Sequence, residues 1–234
     1  MNDFTAAFSA AFDLLVQGDE QLREIVGLSL QVSLGAVFIA ALIAMPLGAA
    51  TAMYRFPGRK TLVIALNALM GLPPVVVGLI VYLMLSRMGP FGVLGLLFTP
   101  TAMIIAQVLL IIPIIASLTR QVIEDLWHEY EEQLRSLGAS PFQRMTTLLW
   151  DGRFSLLTAI LAGLGRATAE VGAVMIVGGN IDHVTRVMTT AIALEVSKGD
   201  LALALGLGVI LISLSLSING AAFILKDAAE RRQA

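Results

Sequence analysis

The chain has 234 residues, of which 57% are hydrophobic and 14% are charged, whereas about a quarter of the residues in an average soluble domain are charged. The formal charge of −2 is uninformative about partners, and no nucleic-acid partner is expected. The sequence has no cysteine, which excludes disulfides, thiolate metal sites and thiol nucleophiles. Because the apolar residues come in long uncharged runs, the sequence predicts an all-α, polytopic membrane helix bundle.

Residues 1–24 precede the first apolar run and are predicted to form an interfacial or extracytoplasmic tail. Phe4, Phe8, Phe12 and Leu15 recur every three or four residues, which is typical of an amphipathic helix. Such a helix could lie in the membrane interface or pack on the bundle, and the pattern favours neither. The tail has no basic region before its apolar residues, so we expect no cleaved signal peptide.

Residues 25–234 are predicted to form a transmembrane domain, with about five spans. The first uncharged run, residues 25–54, is longer than the roughly 20 residues that a helix needs to cross the hydrocarbon core. The second run, residues 61–86, contains Pro73 and Pro74, so we expect a broken helix there. The other three spans are expected at about residues 99–119, 154–179 and 201–225.

The distribution of basic residues predicts the orientation of these spans. With five spans and the amino terminus outside, ten Lys and Arg residues lie inside, four lie outside, and Arg166 lies within a span. The excess of positive charge inside predicts an extracytoplasmic amino terminus and a cytoplasmic carboxyl terminus, in the cell membrane.

A charged segment, residues 124–153, lies between two apolar runs on the predicted cytoplasmic side. Leu126, Tyr130 and Leu134 recur at four-residue spacing, which predicts an amphipathic helix. We call residues 124–153 the elbow. An ordinary cytoplasmic loop is the alternative interpretation.

The second half of the elbow begins with the signals of a helix end and a helix start. Gly138 is expected to end the first helix. Ser140 is expected to cap a second short helix, with Pro141 as its first residue and Gln143 as the reciprocal partner of Ser140. The elbow is therefore predicted to be a rigid helix-turn-helix that docks a soluble partner.

The stretch EQLRSLGASP, residues 132–141, resembles the EAA loop of bacterial ABC-importer permeases. Glu132 and Gly138 match that motif in identity and spacing, whereas Gln133 and Leu134 replace its two alanines, and Trp150-Asp151 replaces the Leu-Pro near its end. The resemblance implies that the elbow inserts into a cleft of a separate ATPase subunit. The residues expected to make this contact are Glu132, Leu137, Gly138, Ala139, Ser140, Pro141 and Phe142.

Residues 165–173, GRATAEVGA, are similar to a segment of molybdate, tungstate and sulfate permeases, and residues 178–181 and 185–195 resemble tungstate-importer permeases in particular. The resemblance implies the permease subunit of an ATP-driven tungstate importer that works by alternating access. A molybdate or sulfate importer is the alternative. The resemblance also implies three partners in addition to membrane lipid: an ABC ATPase, an extracytoplasmic oxyanion-binding protein and a second copy of the chain.

Arg166 and Glu170 are four residues apart inside a predicted span, so they can pair on one helix face. Arg166 could add positive potential to the route of a dianion, or the pair could be a clamp between helices. A strong permanent anion site would trap the substrate, which favours the clamp. Asn67 is a further pathway candidate, although such residues more often bond to neighbouring helices.

No phosphate-binding loop of the form GxxxxGK[ST] occurs in the sequence, so ATP hydrolysis is expected in a partner subunit. No catalytic residue, cofactor or metal site is expected, since His128 and His183 are lone histidines and are most simply surface residues. A membrane-embedded enzyme would need a cluster of His, Asp or Glu at a membrane surface. A secondary transporter is the other alternative, and it leaves the elbow without a purpose.

Overall fold

The computed structural model describes residues 20–231, so the amphipathic helix predicted between Phe4 and Leu15 lies outside the described residues. Within this range the structure contains nine α-helices and no strand. The helices are α1 (Glu20–Met53), α2 (Arg59–Leu69), α3 (Pro74–Leu85), α4 (Pro100–Ser136), α5 (Pro141–Asp151), α6 (Arg153–Thr168), α7 (Gly172–Gly178), α8 (Met188–Lys198) and α9 (Leu201–Arg231), with a 3₁₀ turn at Gly92–Leu94.

Three helices are long and apolar enough to cross a membrane, namely α1, α4 and residues 201–224 of α9. Two further pairs pass the same test when taken together: α2 with α3, bent by 108°, and α5 with α6, bent by 76°. By length and composition the chain therefore has three to five spans, which confirms the predicted helical membrane bundle. The bend between α2 and α3 lies at Pro73 and Pro74, where a broken helix is predicted from the sequence.

The third predicted span begins where expected but does not end there. Thr99 caps α4 by accepting a hydrogen bond of 3.4 Å from the backbone N–H of Ala102, and Pro100 is the first helical residue. The helix then continues to Ser136 without a break. The membrane span and the first helix of the elbow are thus one helix, because the change from apolar to charged residues near Arg120 interrupts no backbone hydrogen bond.

The fourth predicted span, residues 154–179, is two helices instead of one. The chain leaves the helix after Thr168 and starts α7 at Gly172. The carboxylate of Glu170 accepts a hydrogen bond of 2.9 Å from the N–H of Ala173, which satisfies a free donor at the start of α7. This start also packs closely on α3, since a Cβ on Gly78 would lie 2.7 Å from the Cα of Ala173.

Helix α4 lies at the centre of the fold, and Met103, Ile111 and Ile115 are fully buried in it. It approaches α1 so closely that a Cβ on Gly48 would lie 2.5 Å from the carbonyl oxygen of Ala116. Small residues at helix contacts are the usual means of such close packing in membranes. Helix α9 is peripheral, since 22% of its most apolar window is buried, against 61% for α4.

Candidate functional site

The elbow turns sharply between α4 and α5. Gly138 has φ of +69°, the left-handed region that favours glycine. The N–H of Gly138 donates to the carbonyl of Arg135 at 3.0 Å, and the N–H of Ala139 donates to the carbonyl of Leu134 at 3.1 Å. These bonds close the end of α4, and the helix end predicted at Gly138 is confirmed.

Reciprocal hydrogen bonds fix the start of α5. The N–H of Gln143 donates to Ser140 Oγ at 3.3 Å, and the N–H of Ser140 donates to Gln143 Oε1 at 2.8 Å. This confirms the predicted capping box, with Pro141 as the first helical residue. Arg144 Nε also donates to the carbonyl of Ala139 at 2.7 Å, so the turn is held from both sides.

Helix α5 is fixed on one face and exposed on the other. Leu148 is fully buried, in a cluster with residues of α1, α4 and α6, and the partly buried Leu126, Tyr130 and Leu134 pack on this cluster, as their spacing predicts. By contrast, the elbow exposes Leu137, Phe142 and Trp150 by 81%, 69% and 68%.

Large apolar side chains at such exposure on a rigid turn are typical of a docking surface. Of the residues expected to contact an ATPase, Glu132, Leu137, Gly138, Ser140, Pro141 and Phe142 are exposed and Ala139 is half-buried. Trp150 was not among them, because the sequence departs from the EAA motif at that position. The exposure of Trp150 depends on how α5 packs on the bundle, with Leu148 buried, and so it cannot be predicted from the local sequence.

The charged pair inside the predicted fourth span forms as expected. Arg166 Nη1 lies 3.0 Å from Glu170 Oε2, and the two side chains are 29% and 2% exposed. Glu170 lies past the end of α6, and its carbonyl accepts a hydrogen bond of 2.8 Å from the hydroxyl of Thr189. With the bond from Ala173, Glu170 joins α6, α7 and α8, so its contacts with other helices favour a clamping role for Glu170.

Asn67, the third pathway candidate, lies on the exposed side of α2. Its amide donates to the carbonyl of Val63 at 3.0 Å, one turn earlier in the same helix. The alternative expected for such residues was a bond to a neighbouring helix, and the bond of Asn67 is local instead.

A cavity lies between α1, α4, α6, α8 and α9, with Ser33, Gln107, Glu170 and Ser215 among its lining residues. Gln107 Nε2 donates to the carbonyl of Ala167 at 3.2 Å, while the buried Oε1 has no partner among the described residues. An unpaired acceptor suits water or a hydroxyl donor and repels an oxyanion, whose oxygens only accept hydrogen bonds. The cavity is therefore a poor route for a dianion.

At the end of the bundle opposite the elbow, a tight loop joins α7 to α8. Thr185 Oγ1 donates to the carbonyl of Gly178 at 2.6 Å and accepts from the N–H of Ile181 at 2.9 Å. His183 Nδ1 lies 2.6 Å from Glu24 Oε2 of α1, and this hydrogen bond is the main reason that the pKa of His183 is raised. Within residues 20–231, no three His, Cys, Asp or Glu side chains are grouped to hold a metal.

The long apolar helices define a polytopic membrane protein, from which the capped elbow exposes large apolar side chains. Comparison with known families identifies the class of membrane protein. The family described as "Binding-protein-dependent transport system inner membrane component" matches residues 30–233, and the chain belongs to this family. It is a transport component of a membrane, not an enzyme.

Three relatives are similar over most of the chain. "Tungstate uptake system permease protein TupB" of Peptoclostridium acidaminophilum is 40% identical over 97% of this chain and 100% of its own length. "Probable anion ABC transporter permease protein" of Haloferax volcanii is 37% identical, over 77% of this chain and 80% of its own. TupB of Campylobacter jejuni is 35% identical, over 83% of this chain and 82% of its own.

Proposed function

We propose that this chain is the permease subunit of an ATP-driven tungstate importer and works by alternating access. The observation that carries the proposal is the elbow, a capped turn that exposes Leu137 and Phe142 while Leu148 fixes it to the bundle. The proposed cargo is supported by the 40% identity to a tungstate uptake permease over its whole length. A partner ATPase then supplies the energy, since the sequence has no phosphate-binding loop.

The elbow docks this ATPase, with exposed apolar side chains in a cleft of the partner and polar groups around them. Because α4 is continuous from the membrane to Ser136, a displacement of the docked elbow is carried into the bundle with little loss. The side of the membrane follows from the basic residues, with the elbow and the carboxyl terminus in the cytoplasm and the amino terminus outside. The opposite end then receives the oxyanion from a binding protein.

The route for the oxyanion lies between two copies of the chain. The cavity inside one copy presents the acceptor Gln107 Oε1, which is unsuited to a dianion. Arg166 keeps 29% of its side chain exposed while Glu170 is buried, so the pair presents positive charge to the outside of the protomer. We assign Arg166 and Asn67 to the route, and Glu170 to positioning Arg166.

The test is ATP-dependent uptake of tungstate into vesicles that hold the chain with its ATPase and binding protein, with molybdate and sulfate as competitors. Gly138→Val forces a β-branched residue into the left-handed region and should abolish uptake together with copurification of the ATPase. Gly208→Val is the control, because a side chain there meets no neighbour. Uptake of none of the three oxyanions by the assembled complex would contradict the proposed cargo.

A further inference from the structure

Arg59, the first residue of α2, joins three helices at the elbow end of the bundle. Its Nε donates to the carbonyl of Thr51 at 2.5 Å, and its Nη2 lies 3.4 Å from the carbonyl of Ala52. Both carbonyls belong to the last turn of α1, where carbonyl groups lack partners within the helix. The same Nη2 lies 3.1 Å from Glu124 Oε1 of α4.

Glu124 binds a second arginine through its other oxygen. Arg120 Nη1, one turn earlier in α4, donates to Glu124 Oε2. The side chains of Arg59, Arg120 and Glu124 are 31%, 17% and 33% exposed, so all three charges are partly removed from water. Charge pairs of this kind are stronger than fully exposed ones. We call these three residues the clasp.

The clasp matters most for α2, because that helix buries little of its own surface. Leu66 is the only residue of α2 that is buried. At its far end, α2 leads through the 108° bend into α3. Helix α3 in turn packs on α7 at Gly78 and Ala173. The position of Arg59 therefore sets how this bent pair of helices enters the bundle.

The clasp also lies at the base of the elbow, since Glu124 is the first residue of the elbow. Glu124 and Glu132 lie on the same helix, and residues 124–136 contain neither glycine nor proline. Such a helix transmits a displacement without a hinge. A movement of the elbow thus reaches Glu124 directly, and passes to Arg59 through the ion pair.

We propose that Glu124 is a positioning residue that transmits movement of the elbow to the bent pair α2–α3. This inference rests on the proposed function, in which an ATPase moves the elbow. Without the ion pair, α4 moves while α2 stays behind. ATP hydrolysis then continues, but less substrate crosses the membrane for each ATP.

The first experiment measures tungstate taken up per ATP hydrolysed by the complete complex in vesicles. Glu124→Gln and Arg59→Gln should each lower this ratio by about fivefold or more, as expected for a lost coupling interaction. The double variant should be no worse than either single variant, because the two residues act through each other. An unchanged ratio in Glu124→Gln, or additive losses in the double variant, would overturn the proposal.

A control variant is available at the same end of the bundle. Asp227 pairs with Arg231 at 2.8 Å within α9, so Asp227→Asn makes the same change of charge in a pair that joins no two helices. This variant should keep the wild-type ratio. If this variant lowered the ratio as much as Glu124→Gln does, the loss of a charge alone would explain the effect. That result would contradict the coupling role of the clasp.

A second measurement needs no cargo. Since the sequence has no cysteine, spin labels can be attached at Thr61→Cys in α2 and His128→Cys in α4, both exposed positions. The distance between the labels, measured by electron paramagnetic resonance, should stay the same with and without ATP, and should change with ATP once Glu124→Gln is added. If the distance in the Glu124→Gln variant did not change with ATP, the coupling role of the clasp would be refuted. Absence of oxyanion uptake would refute only the proposed cargo.

Discussion

The phenol of Tyr54, one residue past the end of α1, donates a hydrogen bond of 2.8 Å to the carbonyl of Pro141, the first residue of α5. The two residues are 87 positions apart in the chain. This bond ties the turn of the elbow to the end of a membrane-spanning helix. It therefore fixes the angle at which the elbow leaves the bundle.

We expect Tyr54→Phe to loosen the elbow without unfolding the bundle. Removal of one exposed hydrogen bond costs about 0.5–1.5 kcal/mol, so α5 should open more often while α1 stays intact. Hydrogen–deuterium exchange of the purified protein should be faster in residues 141–151 than in the wild type. Tyr82→Phe, in α3, serves as the control. Equal exchange in the two variants would show that the Tyr54 bond does not hold the elbow.

At Gly78, helices α3 and α7 pack too closely to leave room for a side chain. A Cβ there would lie 2.7 Å from the Cα and 3.1 Å from the carbonyl oxygen of Ala173, both backbone atoms. We expect Gly78→Ala to lower the free energy of unfolding by about 1–3 kcal/mol, as overpacking does. Thermal unfolding in detergent measures this loss. Gly220→Ala, where a Cβ meets nothing, should be neutral or slightly stabilising.

Features that depend only on residues close together in the chain can be predicted from this sequence. The capping box needs only Ser140 and Gln143, and the bend of the second span needs only Pro73 and Pro74. The hydropathy of the runs is sufficient to predict a membrane bundle. Hydropathy marks where the solvent changes, however, and not where a helix ends. For that reason the continuation of α4 to Ser136 was missed.

Features that depend on distant residues could not be predicted. The break between α6 and α7 depends on the cap that Glu170 forms with Ala173 and on the packing of Gly78 against α7. The spacing of Arg120 and Glu124 indicates a pair within one helix, but no local pattern indicates that Arg59, 65 residues before Glu124, completes it. Contacts of this kind are set by the path of the chain.

The clamp formed by Arg166 and Glu170 predicts an unusual order of stabilities. Arg166→Gln leaves the carboxylate of Glu170, only 2% exposed, without its charged partner. We expect a loss on the order of 3 kcal/mol in the free energy of unfolding. The double variant Arg166→Gln/Glu170→Gln should be more stable than Arg166→Gln alone, because it buries no unpaired charge.

The same double variant distinguishes a role of Arg166 in the oxyanion route from a role in the clamp alone. If Arg166 lies on the route, the double variant should take up less tungstate than the wild type even though its stability is largely recovered. Assembly with the ATPase, followed by copurification, should be normal. Uptake at the wild-type level would remove Arg166 from the route and leave it as part of the clamp alone.

The contact between His183 and Glu24 predicts a dependence of stability on pH. The pKa of His183 is raised above its ordinary value of 6.5, first by the hydrogen bond with Glu24, then by the charges of Asp182 and Glu24, and against the opposing charge of Arg186. A raised pKa means that the folded state binds the proton more tightly than the unfolded state does. The contribution to stability is therefore complete below pH 6.5 and is lost as the pH rises through the raised pKa.

We expect His183→Asn to show this loss directly. His183 has φ of +57°, and asparagine tolerates that region, so the substitution removes the ion pair without new backbone strain. The melting temperature of the wild type should exceed that of His183→Asn in mildly acidic buffer, and the difference should shrink as the pH rises. Glu24→Gln should reduce the same difference, because it removes the partner carboxylate. A difference that is constant or grows with pH would show that the His183–Glu24 pair does not titrate in this way.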